Sequence, residues 1–214
     1  MTAPSHLGSL LIVVAPSGAG KTSLVRHLLG ARKGVRLSVS YTTRPPRPGE
    51  RDGIDYNFID TPDFERRREA GEFLEWARVH SNYYATSRAW IEDQIDAGED
   101  IVLEIDWQGA AQIRRLFPDA ISVFIAPPSL DVLRERLTAR AQDSAEVIEA
   151  RLQAARGELK HAGDCQYVII NQDFGDACQA LCAVLDTARC RFANQRLRYG
   201  PIFDALGIVA APSL

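Results

Sequence analysis

LLIVVAPSGAGKT, residues 10–22, joins an apolar run directly to a glycine-rich turn. The run 10–14 has the length and branching of a buried strand, and apolar residues recur at helical spacing from Leu24 to Leu29. A turn between such a strand and helix presents backbone N–H groups that can surround the phosphates of a nucleotide. In such a loop Lys21 reaches the β- and γ-phosphates and Thr22 ligates Mg²⁺. The stretch therefore predicts a nucleotide-binding P-loop in an α/β protein.

The first position of this motif departs from the general pattern GxxxxGK(S/T), because Ala15 stands where that pattern has glycine. Alanine is tolerated there if its φ stays below zero. The alternative interpretation, an ordinary strand-to-helix turn, leaves Lys21 without a role.

Length and composition limit the size of the hydrophobic core and the kinds of partner that the protein can bind. With 214 residues, 46% of them hydrophobic, the chain can bury one sizeable core. A formal net charge of −3 argues against binding nucleic acid or membranes through the overall charge. The N-terminus lacks the pattern of a signal peptide, and no apolar run is long enough for a membrane span, so we expect a soluble, cytoplasmic protein.

Cysteines and histidines lack the spacing of a metal site. Cys178 and Cys182 lie four residues apart on a predicted helix, which is typical of small buried side chains.

Short apolar runs at 10–14, 101–105, 121–125 and 167–170 are typical of parallel strands buried on both faces. Helical patterns separate them. One helix is predicted to start at the N-cap Ser87 and to end before Gly98, and another covers 107–117 and stops at Pro118. This alternation predicts a three-layer α/β fold, with a parallel sheet flanked by helices.

Residues 38–89 interrupt the alternation and are too many for a loop. Alternating patterns at 37–41 and 56–59 predict strands, and Thr61 is predicted to cap a short helix with Pro62 at its first position. We therefore predict a small β-rich subdomain inserted into a core formed by residues 1–37, 90–127 and 161–214.

Residues 128–160 form a second interruption, predicted as two helices that begin near Ser129 and Ser144. The segment is rich in arginine: Arg134, Arg136, Arg140, Arg151 and Arg156. A basic helical hairpin near a P-loop is a candidate lid, and a solvated helix face is the alternative.

Arg44 and Arg47 lie in a proline-stiffened turn within the inserted segment. Because arginine binds phosphate through two parallel hydrogen bonds, the pair predicts a clamp for a second phosphate, separate from the nucleotide at Lys21. Tyr56 and Tyr84 can donate phenolic hydrogen bonds to the same phosphate.

Glu75 lies beside aromatic residues in the inserted segment. Its carboxylate can accept two hydrogen bonds from guanine N1 and N2, a pair of donors that adenine lacks, and the hydroxyls of Ser40 and Thr86 can contact the O6 edge. Glu104 and Asp106 lie at the end of the predicted strand 101–105, where acidic groups hold Mg²⁺ or its waters in P-loop enzymes. The alternative for these two is favourable charge at a helix N-terminus.

Together these segments resemble the bacterial type of guanylate kinase from about residue 8 to residue 189. The motifs APSGAGKT, SVSYTTRPPRPGE, EFLEWARVHSNYY, IDWQGA and FIAPPS occur in that family's order. The resemblance implies transfer of the γ-phosphoryl group of ATP to GMP, and to dGMP, with Mg²⁺ as the accompanying metal. It also implies a core, a GMP-binding subdomain at 38–89 and a lid at 128–160.

The resemblance further implies a role for individual positions, with Lys21, Arg44, Arg140 and Arg151 as the catalytic set. ATP is expected at Ala15, Pro16, Ser17, Gly18, Ala19, Gly20, Lys21, Thr22, Ser23, Arg140 and Asn171, the last of these near the adenine. GMP is expected at Ser40, Arg44, Arg47, Tyr56, Glu75, Tyr84, Thr86 and Asp106. Thr22 and Glu104 are the expected metal ligands.

Three positions differ from the family's usual pattern. Glu104 replaces a more common Asp, and Ala85 and Ala141 replace glycines. If either alanine needed a positive φ, its backbone would be strained.

Two other functions compete with this interpretation. A non-catalytic interaction module of the same fold would lack the P-loop residues, whereas Lys21 and Thr22 are present here. A kinase for another nucleoside monophosphate disagrees with the guanine-reading set. The arginines of residues 189–198 suggest a basic terminal helix, either solvated or packed against a second subunit of a homo-oligomer.

Overall fold

The computed structural model describes residues 8–79, 81–139 and 144–210. The strands are β1 (Leu10–Val14), β2 (Val35–Leu37), β3 (Tyr41–Thr42), β4 (Asn57–Phe58), β5 (Phe73–Val79), β6 (Asn82–Ser87), β7 (Asp100–Glu104), β8 (Ile121–Ala126) and β9 (Tyr167–Ile170). The helices are α1 (Lys21–Ala31), α2 (Thr61–Glu69), α3 (Arg88–Asp96), α4 (Trp107–Leu116), α5 (Leu130–Ala139), α6 (Ala145–Leu159), α7 (Phe174–Arg189), α8 (Phe192–Arg198) and α9 (Gly200–Ala205), with a 3₁₀ turn at Ala162–Asp164.

The core is a parallel sheet of five strands in the order β2-β7-β1-β8-β9. All of β1 is buried, and its side chains alternate between two apolar clusters. Leu11 and Val13 pack with residues of α1 and α7, whereas Ile12 packs on the other face with residues of α3 and α4. Helices therefore cover both faces, and the predicted three-layer α/β fold is confirmed.

The inserted segment contains a second sheet, in the order β4-β3-β6-β5. The single strand predicted at 37–41 is wrong, because the chain divides it between the two sheets. Leu37 pairs with Val102 in the core sheet, and the N–H of Ser38 donates to the Val102 carbonyl at 3.0 Å. The chain then leaves the core and enters β3 at Tyr41. The hairpin of β5 and β6 supplies the other half of this sheet.

Helix α2 begins one residue earlier than predicted. Asp60, and not Thr61, is its N-cap, because the Asp60 carboxylate accepts the N–H of Asp63 at 2.8 Å. The helix buries Phe64 against the ring of Phe73, with ring centroids 4.9 Å apart. This aromatic contact joins α2 to the second sheet.

Helices α5 and α6 form the predicted hairpin, with Ser129 and Ser144 accepting hydrogen bonds from the N–H groups of Val132 and Val147. The two helices share a small apolar cluster of Leu133, Leu137, Ile148, Leu152 and Ala155. Arg140 and Ala141 lie outside the described residues.

Helix α7 carries the predicted buried thiols, since Cys178 and Cys182 pack in the core without a disulfide. Within the described ranges no helix combines the length and the apolar character that crossing a membrane requires.

Asp100 ties the C-terminal end of α7 to the core sheet. Its fully buried carboxylate accepts the N–H of Ser9 at 2.8 Å and Nε of Arg189 at 2.7 Å. Breaking a buried ion pair leaves its partner charge uncompensated, so we expect Asp100→Ala to lower the free energy of unfolding by about 3 kcal/mol in urea titrations. The neighbouring exposed pair of Glu99 with Arg36, at 3.5 Å, supplies the control. Glu99→Ala should cost less than about 1 kcal/mol, and equal losses for the two variants would contradict the prediction.

Candidate functional site

The P-loop runs from the end of β1 to the start of α1. Gly18 and Gly20 have φ values of 92° and 96°, a region that glycine enters without steric cost. Ala15 has no positive φ, which is the condition under which alanine fits the first position of the motif. Lys21 is the first residue of α1, directly after the loop, which is the position of the lysine in a P-loop.

Asn171 packs against the backbone of the P-loop. Its buried side-chain amide donates to the Ala19 carbonyl at 2.7 Å, and it lies so close to Gly20 that a Cβ there has no room. The Asn171 carbonyl in turn accepts from Arg136 on α5 at 2.9 Å. The described geometry therefore places Asn171 against the loop backbone, and it adds Arg136, which no motif had singled out among the arginines of the lid.

Helix α5 also packs directly on the loop. A Cβ at Gly18 would lie 2.9 Å from Leu133 and 3.0 Å from Leu137, both of which are fully buried. The first helix of the predicted lid is thus anchored on the phosphate-binding turn.

Thr22 and Glu104 meet at the carboxyl end of the core sheet. The Thr22 hydroxyl donates to Oε2 of Glu104 at 3.0 Å, and the register of β1 with β7 places Glu104 beside Val13. Oε1 of Glu104 is buried and has no hydrogen-bond partner among the described residues. A buried, unpaired carboxylate oxygen beside a P-loop threonine fits a hard cation, which binds through oxygen ligands.

Arg44 lies just after β3 at the centre of the predicted phosphate clamp. It donates to both carboxylate oxygens of Glu50, at 2.8 and 3.0 Å, and its guanidinium carbon lies 5.3 Å from the centroid of the Tyr56 ring. Partial burial lowers the pKa of Arg44, but hydrogen bonds to Glu50 and Tyr84 outweigh this and raise it. The rings of Tyr56 and Tyr84 are 6.0 Å apart. Three of the four predicted phosphate ligands are thus together.

Arg47 is exposed, unlike these three residues, and its backbone N–H donates to Glu50 at 2.7 Å. Glu50 therefore fixes the positions of Arg44 and of the Arg47 backbone. The sequence did not predict this role, although Glu50 is the last residue of the motif SVSYTTRPPRPGE.

Tyr56 connects the clamp to the P-loop side. Burial raises the pKa of Tyr56 above its ordinary value, and the negative charges of Glu104 and Glu50 contribute in the same direction. Glu104 therefore lies within electrostatic range of Tyr56.

Glu75 lies on β5 and is almost completely buried. The Thr86 hydroxyl donates to its Oε1 at 2.7 Å. Burial raises the pKa of Glu75 to about 7, the Thr86 hydrogen bond opposes this rise, and the charge of Asp106 adds to it. Such a shift, with a specific charged neighbour, is typical of functional carboxyl groups.

Asp106 is the N-cap of α4. Its carboxylate accepts the N–H of Gly109 at 2.9 Å and Nε2 of Gln108 at 3.0 Å. Ser40 is half-buried beside β3, and its carbonyl accepts the N–H of Asn57 at 2.9 Å. Ala85 has no positive φ and is fully buried in β6, so its methyl group causes no backbone strain.

The far end of α6 approaches Lys21 through Glu158, a residue that sequence analysis missed. Burial raises the pKa of Glu158, while the charge of Lys21 opposes the rise. His161, which follows α6, stacks on Trp107 with ring centroids 3.9 Å apart. The sequence around Glu158 is rich in charged residues and gave no indication that this glutamate lies near Lys21. Arg151 is half-buried on the same helix.

A parallel sheet whose first strand leads through a glycine loop into a helix that starts at Lys21, with the Thr22 hydroxyl bonded to Glu104, defines a P-loop nucleotide-binding protein. A sequence model of the family "Guanylate kinase" matches residues 8–188. The chain belongs to the guanylate kinase family.

Individual relatives agree with this assignment. A guanylate kinase of Aromatoleum aromaticum is 57% identical over 93% of this chain and 98% of its own. One from Cupriavidus metallidurans is 54% identical over 95% of this chain and 94% of its own. The crystal structure of guanylate kinase from Anaplasma phagocytophilum superposes with a TM-score of 0.76 at 30% identity, covering 96% of this chain and 98% of that one.

Proposed function

We propose that this chain transfers the γ-phosphoryl group of ATP to a phosphate oxygen of GMP, giving ADP and GDP, in the space between the P-loop and the inserted sheet. The observation that carries the proposal is that the chain holds two separate groups suited to phosphate. Lys21 and Thr22 lie with Glu104 at the P-loop, and Arg44 lies with Tyr56 and Tyr84 on the inserted segment. The influence of Glu104 on the pKa of Tyr56 supports their proximity.

Phosphoryl transfer depends on alignment of the two substrates and on neutralisation of their charge. The N–H groups of the P-loop hold the ATP phosphates, and Lys21 stabilises negative charge that develops between donor and acceptor. Arg44 and the two phenols hold the GMP phosphate, so that its oxygen attacks in line. No protein side chain has to act as a covalent nucleophile.

Thr22 and Glu104 would hold the Mg²⁺ that accompanies ATP. Their oxygens fit this role, because one Glu104 oxygen is buried without a partner among the described residues and the other faces the Thr22 hydroxyl. When bound, the ion neutralises charge on the phosphates. Side-chain groups of three or more His, Cys, Asp or Glu suited to a metal are absent from the described ranges, so the phosphates and water would complete the coordination.

Guanine would be read by Glu75, with the hydroxyls of Ser40 and Thr86 beside it. Thr86 already orients the Glu75 carboxylate, and the fixed acceptor pair matches the donors at guanine N1 and N2. Asp106 lies near enough to influence Glu75 electrostatically, which agrees with a position close to the acceptor nucleotide. The assigned residues bind phosphate and base, so dGMP is proposed as a second acceptor.

Helices α5 and α6 would act as the lid. Arg136 and Glu158 already connect them to the loop through Asn171 and Lys21, and Arg151 would approach the ATP phosphates on closure, with Arg140 in the same role. Residues 38–89 are accordingly proposed as the GMP-binding unit. The cytoplasmic location and a homo-oligomeric state remain predictions.

Arg44→Ala tests the assignment of the clamp. A charge-assisted bidentate contact is lost, so we expect the KM for GMP to rise about 50-fold while the KM for ATP changes less than about twofold. Steady-state kinetics with each substrate varied in turn measure both constants. Arg66→Ala is the matched control, because Arg66 pairs with Asp63 on the exposed side of α2. An unchanged KM for GMP in Arg44→Ala would exclude Arg44 from the GMP site.

A further inference from the structure

Gly109 is the third residue of α4, and its backbone does not require glycine. It has no positive φ, and in a helix glycine is less favourable than any residue except proline. Gly30 of α1 and Gly157 of α6 are also helical, but added Cβ atoms there would meet nothing within 4 Å. Gly109 is buried, so the need for glycine at this position must come from the residues that pack against it.

The neighbour of Gly109 is the carboxyl group of Glu75. A Cβ on Gly109 would collide with Oε2 of Glu75 and would lie 3.1 Å from its Cδ and 3.4 Å from Oδ1 of Asp106. The Glu75 carboxyl therefore occupies the volume of the missing side chain. Its other oxygen accepts the Thr86 hydroxyl, so the group is held between β6 and α4.

A second contact fixes β5 against the same face of α4. Gln112 lies one helical turn after Gly109, and its amide donates to the Trp76 carbonyl at 2.8 Å and accepts from the Trp76 N–H at 3.4 Å. Because Trp76 follows Glu75 directly, this pair of hydrogen bonds sets the position of β5 along α4. The backbone of Glu75 cannot withdraw from Gly109 without breaking it.

We propose that Gly109 is a positioning residue for purine selection: its missing side chain makes the space in which the Glu75 carboxylate is held ready for guanine. The inference rests on the proposed function, in which Glu75 reads the base. A methyl group at 109 displaces the far end of a flexible side chain and leaves the backbone in place. The fold therefore survives the change, and the orientation of the carboxylate does not.

The test is Gly109→Ala, with Gly30→Ala as the control for adding a methyl group to an open helical glycine. We expect Gly109→Ala to raise the KM for GMP about 30-fold and to lower the preference for GMP over AMP by a similar factor. The KM for ATP and the thermal unfolding midpoint should stay close to those of Gly30→Ala. A parallel rise in both KM values, or a Tm loss with unchanged base preference, would mean a structural role only and would overturn the inference.

Glu75→Gln separates failure of this inference from failure of the proposed function. If Glu75→Gln leaves the preference for GMP over AMP unchanged, the assignment of Glu75 fails and the inference fails with it. If Glu75→Gln reduces the preference but Gly109→Ala does not, only the inference fails. If both substitutions reduce the preference for GMP, the double variant Gly109→Ala/Glu75→Gln should be no less selective than Glu75→Gln alone, because Gly109 acts through Glu75.

Discussion

Lys21→Ala should lower kcat by about 1,000-fold, the largest loss that we expect from a single substitution in this protein. Lys21 starts α1 directly after the P-loop, and in the proposed reaction its ammonium group adds to the loop N–H groups around the ATP phosphates. Charge develops on the transferred group in the transition state, and a preorganised cation stabilises it more strongly there than in the ground state. The loss should therefore fall mainly on kcat, and the KM for ATP should change far less. A coupled assay of ADP release measures both.

Arg26→Ala is the matched control for this substitution, because Arg26 is an exposed cation on the same helix. It removes the same charge from α1 at a point away from the loop, and kcat should stay within about twofold. The influence of the Lys21 charge on the pKa of Glu158 provides a second readout. Without the lysine, the opposing charge is lost and the pKa of Glu158 should rise further. A Lys21→Ala enzyme with unchanged kcat would remove Lys21 from the reaction.

Local patterns were sufficient to predict the core. β1 and β9 begin and end as predicted, because each is a short apolar run with sharp limits. Only β1 is buried throughout. The predicted burial of 167–170 on both faces is wrong, because Tyr167, Val168 and Ile170 are exposed on a strand at the edge of the sheet. Ser87 was recognisable as an N-cap and Ser144 as the start of a helix, because capping is a contact over three residues. The strand at 37–41 was wrong for a related reason: alternation indicates a strand but does not say which sheet it joins.

Contacts between distant parts of the chain could not be predicted in the same way. Asn171 holds Ala19 from 152 positions away along the chain, and Arg136 reaches the Asn171 carbonyl across 35. Family resemblance indicates that such residues matter, but only coordinates indicate which atoms they hold. The same applies to Gly109 of α4, because the group that fills the space beside it is the carboxyl group of Glu75 on the second sheet. The structure thus shows how several candidate residues are held in place by distant parts of the chain.

Glu75→Gln should reduce the preference for GMP over AMP by about 1,000-fold in kcat/KM. A site built to accept hydrogen bonds from a base rejects an analogue without those donors by several orders of magnitude. Glutamine replaces one acceptor oxygen by an NH₂ group, which faces a guanine donor and can instead serve adenine. Volume and the Thr86 contact are nearly conserved, so the loss is one of chemistry and not of packing. Thr86→Val, which removes the orienting hydroxyl but keeps the charge, should give a smaller loss.

The pH dependence gives an independent check, because burial raises the pKa of Glu75 to about 7. Only the ionised carboxylate accepts both guanine donors, so kcat/KM for GMP should fall nearly tenfold for each pH unit below 7. Titration of the GMP phosphate is common to wild type and Glu75→Gln, so the ratio of their kcat/KM values isolates Glu75.

Stability should also depend on pH through Glu75. Its carboxyl group holds a proton more tightly in the folded protein than in the unfolded chain, so its contribution to stability is lost as pH rises from about 4.5 through 7. Glu75→Gln should therefore be more stable than wild type at pH 8, by up to about 3 kcal/mol, and should lose this advantage toward pH 4.5. A variant that is less stable at pH 8 and still selects GMP would show that Glu75 serves the fold and not the base.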